Sequence, residues 1–278
     1  MLRVIPATVM WLAAAGAVLS GHHHHKPHAP HWRVMCGRYE HVAAVRDVSE
    51  LRRRARGHRA RQAAASRARA HYVIRNDSYG HRRECIRSRR AGPNFTIVRS
   101  DAKVRHAEPV AFPNVFVGCS WGICSAHSGL PRRVSQLQSL VSSWSIRGRA
   151  GGVWAASYDI WFDRVRHTGG QARGAEIMIW LSSRGFGARG GQVVTVRRVR
   201  YHLAHWVTSH HGKRWTYVQF NRVRPTSRVR DLSVRRFIRV AERRGLIKRH
   251  WWLTSVEAGF EIWRGGVGLK TTTFSVRM

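Results

Sequence analysis

Carboxylates are scarce in this chain. Only 14 Asp and Glu stand against 50 Lys and Arg in 278 residues, so each acid can be weighed for chemistry. Glu176 opens the run EIMIWL. Side chains along an extended strand alternate between faces. Glu176, Met178 and Trp180 therefore share one face, and Ile177, Ile179 and Leu181 share the other. A carboxylate, a thioether and an indole in a row suit a sugar site. The indole stacks on the apolar face of a pyranose, and the carboxylate attacks the anomeric carbon. A plain solvated face would waste the Trp and the Met. SYDIWFD alternates in the same way, with Asp159, Trp161 and Asp163 on one side. If its strand neighbours EIMIWL, Asp159 or Asp163 lies close enough to tune and orient Glu176. In SVEAGFEIWRGG, Glu257 and Glu261 face the same way, and either is a candidate partner. A retaining glycosidase needs two carboxyl groups about 5–5.5 Å apart, one ionised and one protonated.

Strands must position these residues. HYVI, NFTIV, NVFVG, SYDIWFD, EIMIWL, QVVTVRRV, WTYVQF and FSVRM are short runs separated by Gly, Pro, Asn and Ser, which is the pattern of a sandwich or barrel. One helix is expected over 231–244, where Leu232, Val234, Phe237, Ile238 and Ala241 recur at helical spacing. Asp231 or Ser233 would cap its start, and Gly245 follows its end.

The beginning of the chain has a different character. Residues 1–21 read as an export signal: a short basic start, then an apolar run from Val4 to Leu19, with cleavage expected near Ser20 or Gly21. The competing reading of that run is an uncleaved membrane anchor. Residues 22–35 read as a His-rich linker, His22–His25 with His28 and His31, broken by Pro27 and Pro30. Clustered imidazoles can bind divalent metal, but a tail without folded geometry is the preferred reading. Residues 42–70, rich in Ala and Arg and without an apolar stripe, read as a basic insertion outside the core of a domain spanning 36–278. Four cysteines, Cys36, Cys85, Cys119 and Cys124, permit three disulfide pairings, and Cys119 and Cys124 are near enough to close a small loop. An exported chain favours disulfides over free thiols. The formal charge of +36 comes mostly from arginines spread through every segment, which fits a coding bias better than a dedicated anion site.

Together, SYDIWFD, EIMIWL and SVEAGFEIWRGG, in that order, resemble glycoside hydrolase family 12, endoglucanases and xyloglucanases of the actinobacterial type. CGRYE at Cys36, VIRNDSYG followed by ECI, FPNVFVGCSWGICS and WWLTSVEAGFE extend the likeness over 36–40 and 71–278. The resemblance implies an all-β jelly-roll β-sandwich of two curved antiparallel sheets, with one packed α-helix and a concave substrate cleft. It implies Glu176 as nucleophile, Glu261 as acid/base and Asp159 beside the nucleophile. It makes Glu257 the lesser candidate, because that position is usually Gln or another residue. It also implies Met178 and Trp180 as cleft residues, Tyr79 in place of a sugar-stacking Trp with Asn76 nearby, and disulfides Cys36–Cys85 and Cys119–Cys124. Two departures stand out: GFGARGG replaces a Pro-x-Gly turn after EIMIWL, and Arg264 follows Glu261, where a positive charge would weaken the acid.

The expectation is a secreted, retaining endo-β-1,4-glucanase acting on cellulose or a related β-glucan as a monomer. No cofactor, no metal, no specific nucleic acid and no stable membrane insertion after cleavage are expected. Two other readings compete. One is a non-catalytic carbohydrate-binding protein on the same fold. The other is a basic binder of anionic polymers, whose binding would be salt-sensitive.

Overall fold

The computed structural model describes residues 32–45, 71–80, 83–89, 92–104, 108–186 and 190–278. Two sheets carry almost all of it. The smaller has six strands, in the order β1 (Trp32–Met35), β4 (Glu84–Arg89), β5 (Phe95–Ser100), β17 (Lys270–Arg277), β9 (Val141–Arg147) and β15 (Arg228–Ser233). The larger has eleven strands. Its main path runs β12 (Gln192–Val196), β13 (Val199–His210), β14 (Lys213–Arg222), β11 (Ala175–Arg184), β10 (Gly152–Asp163), β16 (Trp252–Gly265), β6 (Asn114–Ser120), β3 (His71–Arg75) and β2 (His41–Val45). β7 (Ile123–Cys124) pairs with β6, and β8 (Arg132–Arg133) with β16. This is the expected jelly-roll sandwich, with one difference. β11 and β14 run parallel, because the β12–β13 hairpin between them returns the chain in the same direction.

Alternation does the packing. From the larger sheet, Tyr158, Ile160, Phe162, Ile177, Ile179, Val256, Ala258 and Phe260 point inward, where they meet Phe95, Ile97, Trp144 and Phe274 of the smaller sheet. The edge-to-face pairs Trp144–Tyr158 and Phe95–Phe260, 5.4 and 5.8 Å between centroids, lie at this interface. The intervening residues of β10, β11 and β16 emerge on the opposite face, and that face carries the acids.

The helix, α1 (Val234–Arg243), buries Val234, Phe237, Ile238, Val240 and Ala241. It starts later than expected because 231–233 finish β15. Ser233 makes no capping bond, and Asp231 pairs with Arg277 at 2.7 Å. Gly245 follows the end with φ 73°, a left-handed position suited to glycine. Cys36–Cys85 and Cys119–Cys124 are both bonded. Two boundaries move. Trp32–Met35 is a strand against β4, so the expected linker over 22–35 does not include them. Val42–Val45 pair with β3, so the expected insertion over 42–70 begins no earlier than 46. The signal, the His cluster and 46–70 lie outside the described residues.

Glu84 is a buried acid away from the active face. Burial is the main cause that pushes its carboxyl up to about 8. The charge of Asp101 adds to this, while the Ser100 hydroxyl opposes it. The folded chain thus holds this proton through a range, upward from about 4.5, in which the unfolded chain releases it. The stability that this proton confers is complete below that range and is lost as pH rises through it. Glu84→Gln should therefore melt like the parent near pH 4 and several degrees above it near pH 8.5, as read by thermal unfolding at the two pH values.

Candidate active site

Neighbouring strands β11, β10, β16, β6 and β3 carry the site. Asp159 lies opposite Met178 on one side and Glu257 on the other. Trp161 lies opposite Glu176 and Ser255, and Glu261 lies opposite Ala155. Asp159, Glu176 and Glu261 are each 7% exposed and Glu257 is 1% exposed, so all four acids are largely removed from water. Gly259 separates the two glutamates of β16. A Cβ there would come within 2.4 Å of the Pro113 carbonyl, which holds β16 tight against the segment entering β6.

Indoles grip the acids. Trp215 Nε1 donates to Glu176 Oε2 at 2.6 Å, and Trp161 Nε1 donates to Asp159 Oδ2 at 2.7 Å. The two indoles pack against each other with centroids 5.6 Å apart, and Trp121, 44% exposed, meets Trp161 edge-on. A second aromatic group forms around Met178: Trp180, Trp263 and Phe186, with Phe186 and Trp263 4.5 Å apart. On the β13–β14 side, Trp206 stacks on Tyr217 at 4.4 Å, level with Glu176 and 41% exposed.

The electrostatics follow from burial. The Glu176 carboxyl is pushed well up by burial and by the charges of Glu261 and Glu257, while the Trp215 N–H pulls it down. Asp159 is raised further by burial and by Glu176, Glu257 and Glu261. Such a group of acids retains protons at neutral pH, and titrates as a unit. Tyr79 is partly buried, and its phenol is raised by burial and by the charges of Glu261, Asp77, Glu176 and Asp159, so it stands among the acids.

Most of the residues singled out from the sequence come together: Glu176, Glu261, Asp159, Met178, Trp180 and Tyr79. Asn76 does not. It is fully buried and donates its amide hydrogens to the carbonyls of Gly37 and Glu84, at 3.0 and 2.9 Å. It lies just past the end of β3, in step with the inward Tyr72 and Ile74, and braces backbone where a sugar contact was expected. Asp163 lies at the end of β10, with its carboxylate 3.4 Å from His167. Arg264 is exposed. Residues 187–189 of the altered turn lie outside the described set, but Phe186 just before them packs against Trp263. The sequence placed Trp161 on the Asp159 face but gave it no role, and Trp215, Trp263, Arg75 and Asp77 were missed. Alternation in WTYVQF held a signal for Trp215, but only strand order brings it to the acids.

The family model for glycosyl hydrolase family 12 matches residues 71–278. The chain belongs to this family. A probable cellulase Cel12b of Mycobacterium tuberculosis is 31% identical over 153 residues, covering 54% of this chain and 98% of its own length. Endoglucanase S of Pectobacterium parmentieri is 27% identical over 172 residues, covering 60% of this chain, and the match spans 65% of that relative's length. Among solved structures, endoglucanase Cel12A of Rhodothermus marinus superposes with a TM-score of 0.71 at 34% identity, covering 88% of this chain and 97% of that one. A metagenome-derived family 12 endoglucanase superposes at 0.72 with 31% identity and the same coverage.

The Trp215 bond has a testable consequence within this family 12 site. Trp215→Phe keeps an aromatic ring, though a smaller one, and removes the N–H donor, so the Glu176 carboxyl rises further. The acidic limb of the kcat/KM profile should move to higher pH. Loss of a bond to a charged group should cost about tenfold to a hundredfold in kcat/KM, measured by reducing-end release across pH.

Proposed function

We propose that the protein is a secreted, endo-acting, retaining glycosidase that hydrolyses β-1,4-glucosidic bonds in cellulose or a related β-glucan. The observation that carries this reading is the company of Glu176. Glu261 bears on it electrostatically from two strands away, Asp159 stands between their strands, and aromatic rings flank the acids on both sides.

In the first step, the Glu176 carboxylate attacks the anomeric carbon while Glu261 gives its proton to the glycosidic oxygen. The C1–O bond breaks, and a glycosyl–enzyme ester forms. In the second step, Glu261 takes a proton from water, the water oxygen bonds to C1, and Glu176 leaves. Two inversions at one carbon retain its configuration. Each half-reaction balances with side chains and water alone. The Trp215 bond occupies one oxygen of Glu176 and leaves the other for C1. Asp159 sits where it can carry a proton beside Glu176 and so share the negative charge. The partly exposed Trp121 and Trp206 offer stacking surface for sugar rings of a long chain, as an endo-acting enzyme needs.

Export is supported by the two disulfides, which suit an oxidising compartment. Among the described residues no helix is long and apolar enough to cross a membrane. Glu261→Gln should lose about 10²–10⁴-fold on carboxymethylcellulose or mixed-linkage glucan, yet keep most of its bond-breaking rate on an aryl cellobioside whose leaving group needs no proton. Glu176→Gln should be inactive on both. Proton NMR of fresh product should show the β anomer first. An initial α anomer, or full activity in Glu176→Gln, would sink the assignment.

A further inference from the structure

A diagonal of side chains crosses five neighbouring strands on the active face: Arg75 of β3, Phe116 of β6, Glu257 of β16, Asp159 of β10 and Glu176 of β11, with Arg75 beyond the Val73 that pairs with Phe116 and Glu176 short of the Met178 that pairs with Asp159. Phe116 is in register with Glu257, and Glu257 with Asp159. Among the described residues, Arg75 is the only arginine in the buried set, at 2% exposure. Its guanidinium lies over the Phe116 ring, 5.3 Å from the centroid, and reaches Glu257 at 3.2 Å and Asp77 at 2.9 Å. The other oxygen of Glu257 accepts from Ser255 Oγ at 2.8 Å. Burying a guanidinium is costly unless its charge is used, and here it is spent at the end of a row of acids.

The groups around Glu257 come from every strand packed on it. Arg75 and Asp77 approach from β3 and the residues just after it, Ser120 from β6, Ser255 from its own strand and Asp159 from β10. Asp159, Trp215, Glu257 and Glu261 surround Glu176, with Tyr79 nearby and Glu108 contributing charge. Arg75 is the only cation that touches this group among the ion pairs described.

We propose that Arg75 is a positioning residue: it holds Glu257 in an ion pair on the β3 side, so that the proton these crowded acids must carry rests first on Asp159 and Glu176 ionises at lower pH than it otherwise would. This rests on Glu176 being the nucleophile. Arg75 touches no substrate; it acts through Glu257 and Asp159. Its charge offsets that of Glu257, which otherwise raises Glu176. Without Arg75, Glu257 competes for the same proton or leaves its negative charge uncompensated, and ionising Glu176 becomes harder. Without Glu257, the Arg75 charge is unmasked and ionising Glu176 becomes easier.

The test is the pH profile of kcat/KM for the full chain and for Arg75→Gln, Glu257→Gln and the double variant, on one soluble β-glucan, with thermal melting of each. Arg75→Gln should move the acidic limb up by about one pH unit, so that activity on the acid side of the optimum falls about tenfold. Glu257→Gln should move the limb down. The double variant removes both members of that pair but also leaves Asp77 without its cation, so its limb should lie between those of the two single variants. If Arg75→Gln fails to fold, the downward shift in Glu257→Gln and the position of the double variant still decide. Limbs that stay in place while melting temperatures fall would show a purely structural ion pair and overturn the proposal. An inactive parent would instead overturn the nucleophile assignment, and this inference with it.

Discussion

Carboxylates crowded together out of water resist ionising, and the larger sheet crowds four of them. Asp159, Glu176, Glu257 and Glu261 share one face of three adjacent strands, each at most 7% exposed. The rest of the site follows from managing that charge. Indole N–H groups from Trp161 and Trp215 hold two of the acids in place. A buried arginine pairs with a third. Protons retained by the group settle what remains, as the proposed retaining mechanism requires, because its two acids must differ in protonation. The aromatic packing on both sides serves two ends: it lowers the local dielectric that strengthens these effects, and it presents flat apolar surface to sugar rings.

The sandwich makes such a face possible. A strand that fills a core on one side with Ile177 and Ile179 must present Glu176, Met178 and Trp180 on the other. The same holds for Val256, Ala258 and Phe260 against Glu257 and Glu261. Period-two alternation was legible in the sequence and put the acids on one face of their strands, while the jelly-roll sandwich and the disulfide pairs came with the family resemblance. Asn76 shows the limit of that reading. It stands between Arg75 and Asp77, which face the acids, but alternation puts it in step with the inward Tyr72 and Ile74. Its amide braces the carbonyls of Gly37 and Glu84.

Strand order could not be read. Trp215 and Glu176 are brought together by the parallel pairing of β14 with β11, a pairing that depends on how the intervening hairpin folds back. Arg75 was hidden for a different reason. In a chain with 50 basic residues, one arginine among many carries no signal until burial sets it apart. Other arginines lie at the surface over aromatic rings, such as Arg87 and Arg89 over Trp32, and Arg133 and Arg166 over Trp252. The boundaries of the N-terminal segments were misplaced because Trp32–Met35 and Val42–Val45 gain their strand character from pairing with β4 and β3, and not from any periodicity of their own.

If Glu176 is the nucleophile, it becomes covalently attached to sugar during turnover. Incubation with a 2-fluoro cellobioside bearing a dinitrophenolate leaving group slows the second step more than the first, and peptide mass spectrometry then locates the adduct. A single fluoroglycosyl ester on Glu176 is expected. An adduct on Glu257 or Asp159, or sustained turnover with no adduct, would contradict it.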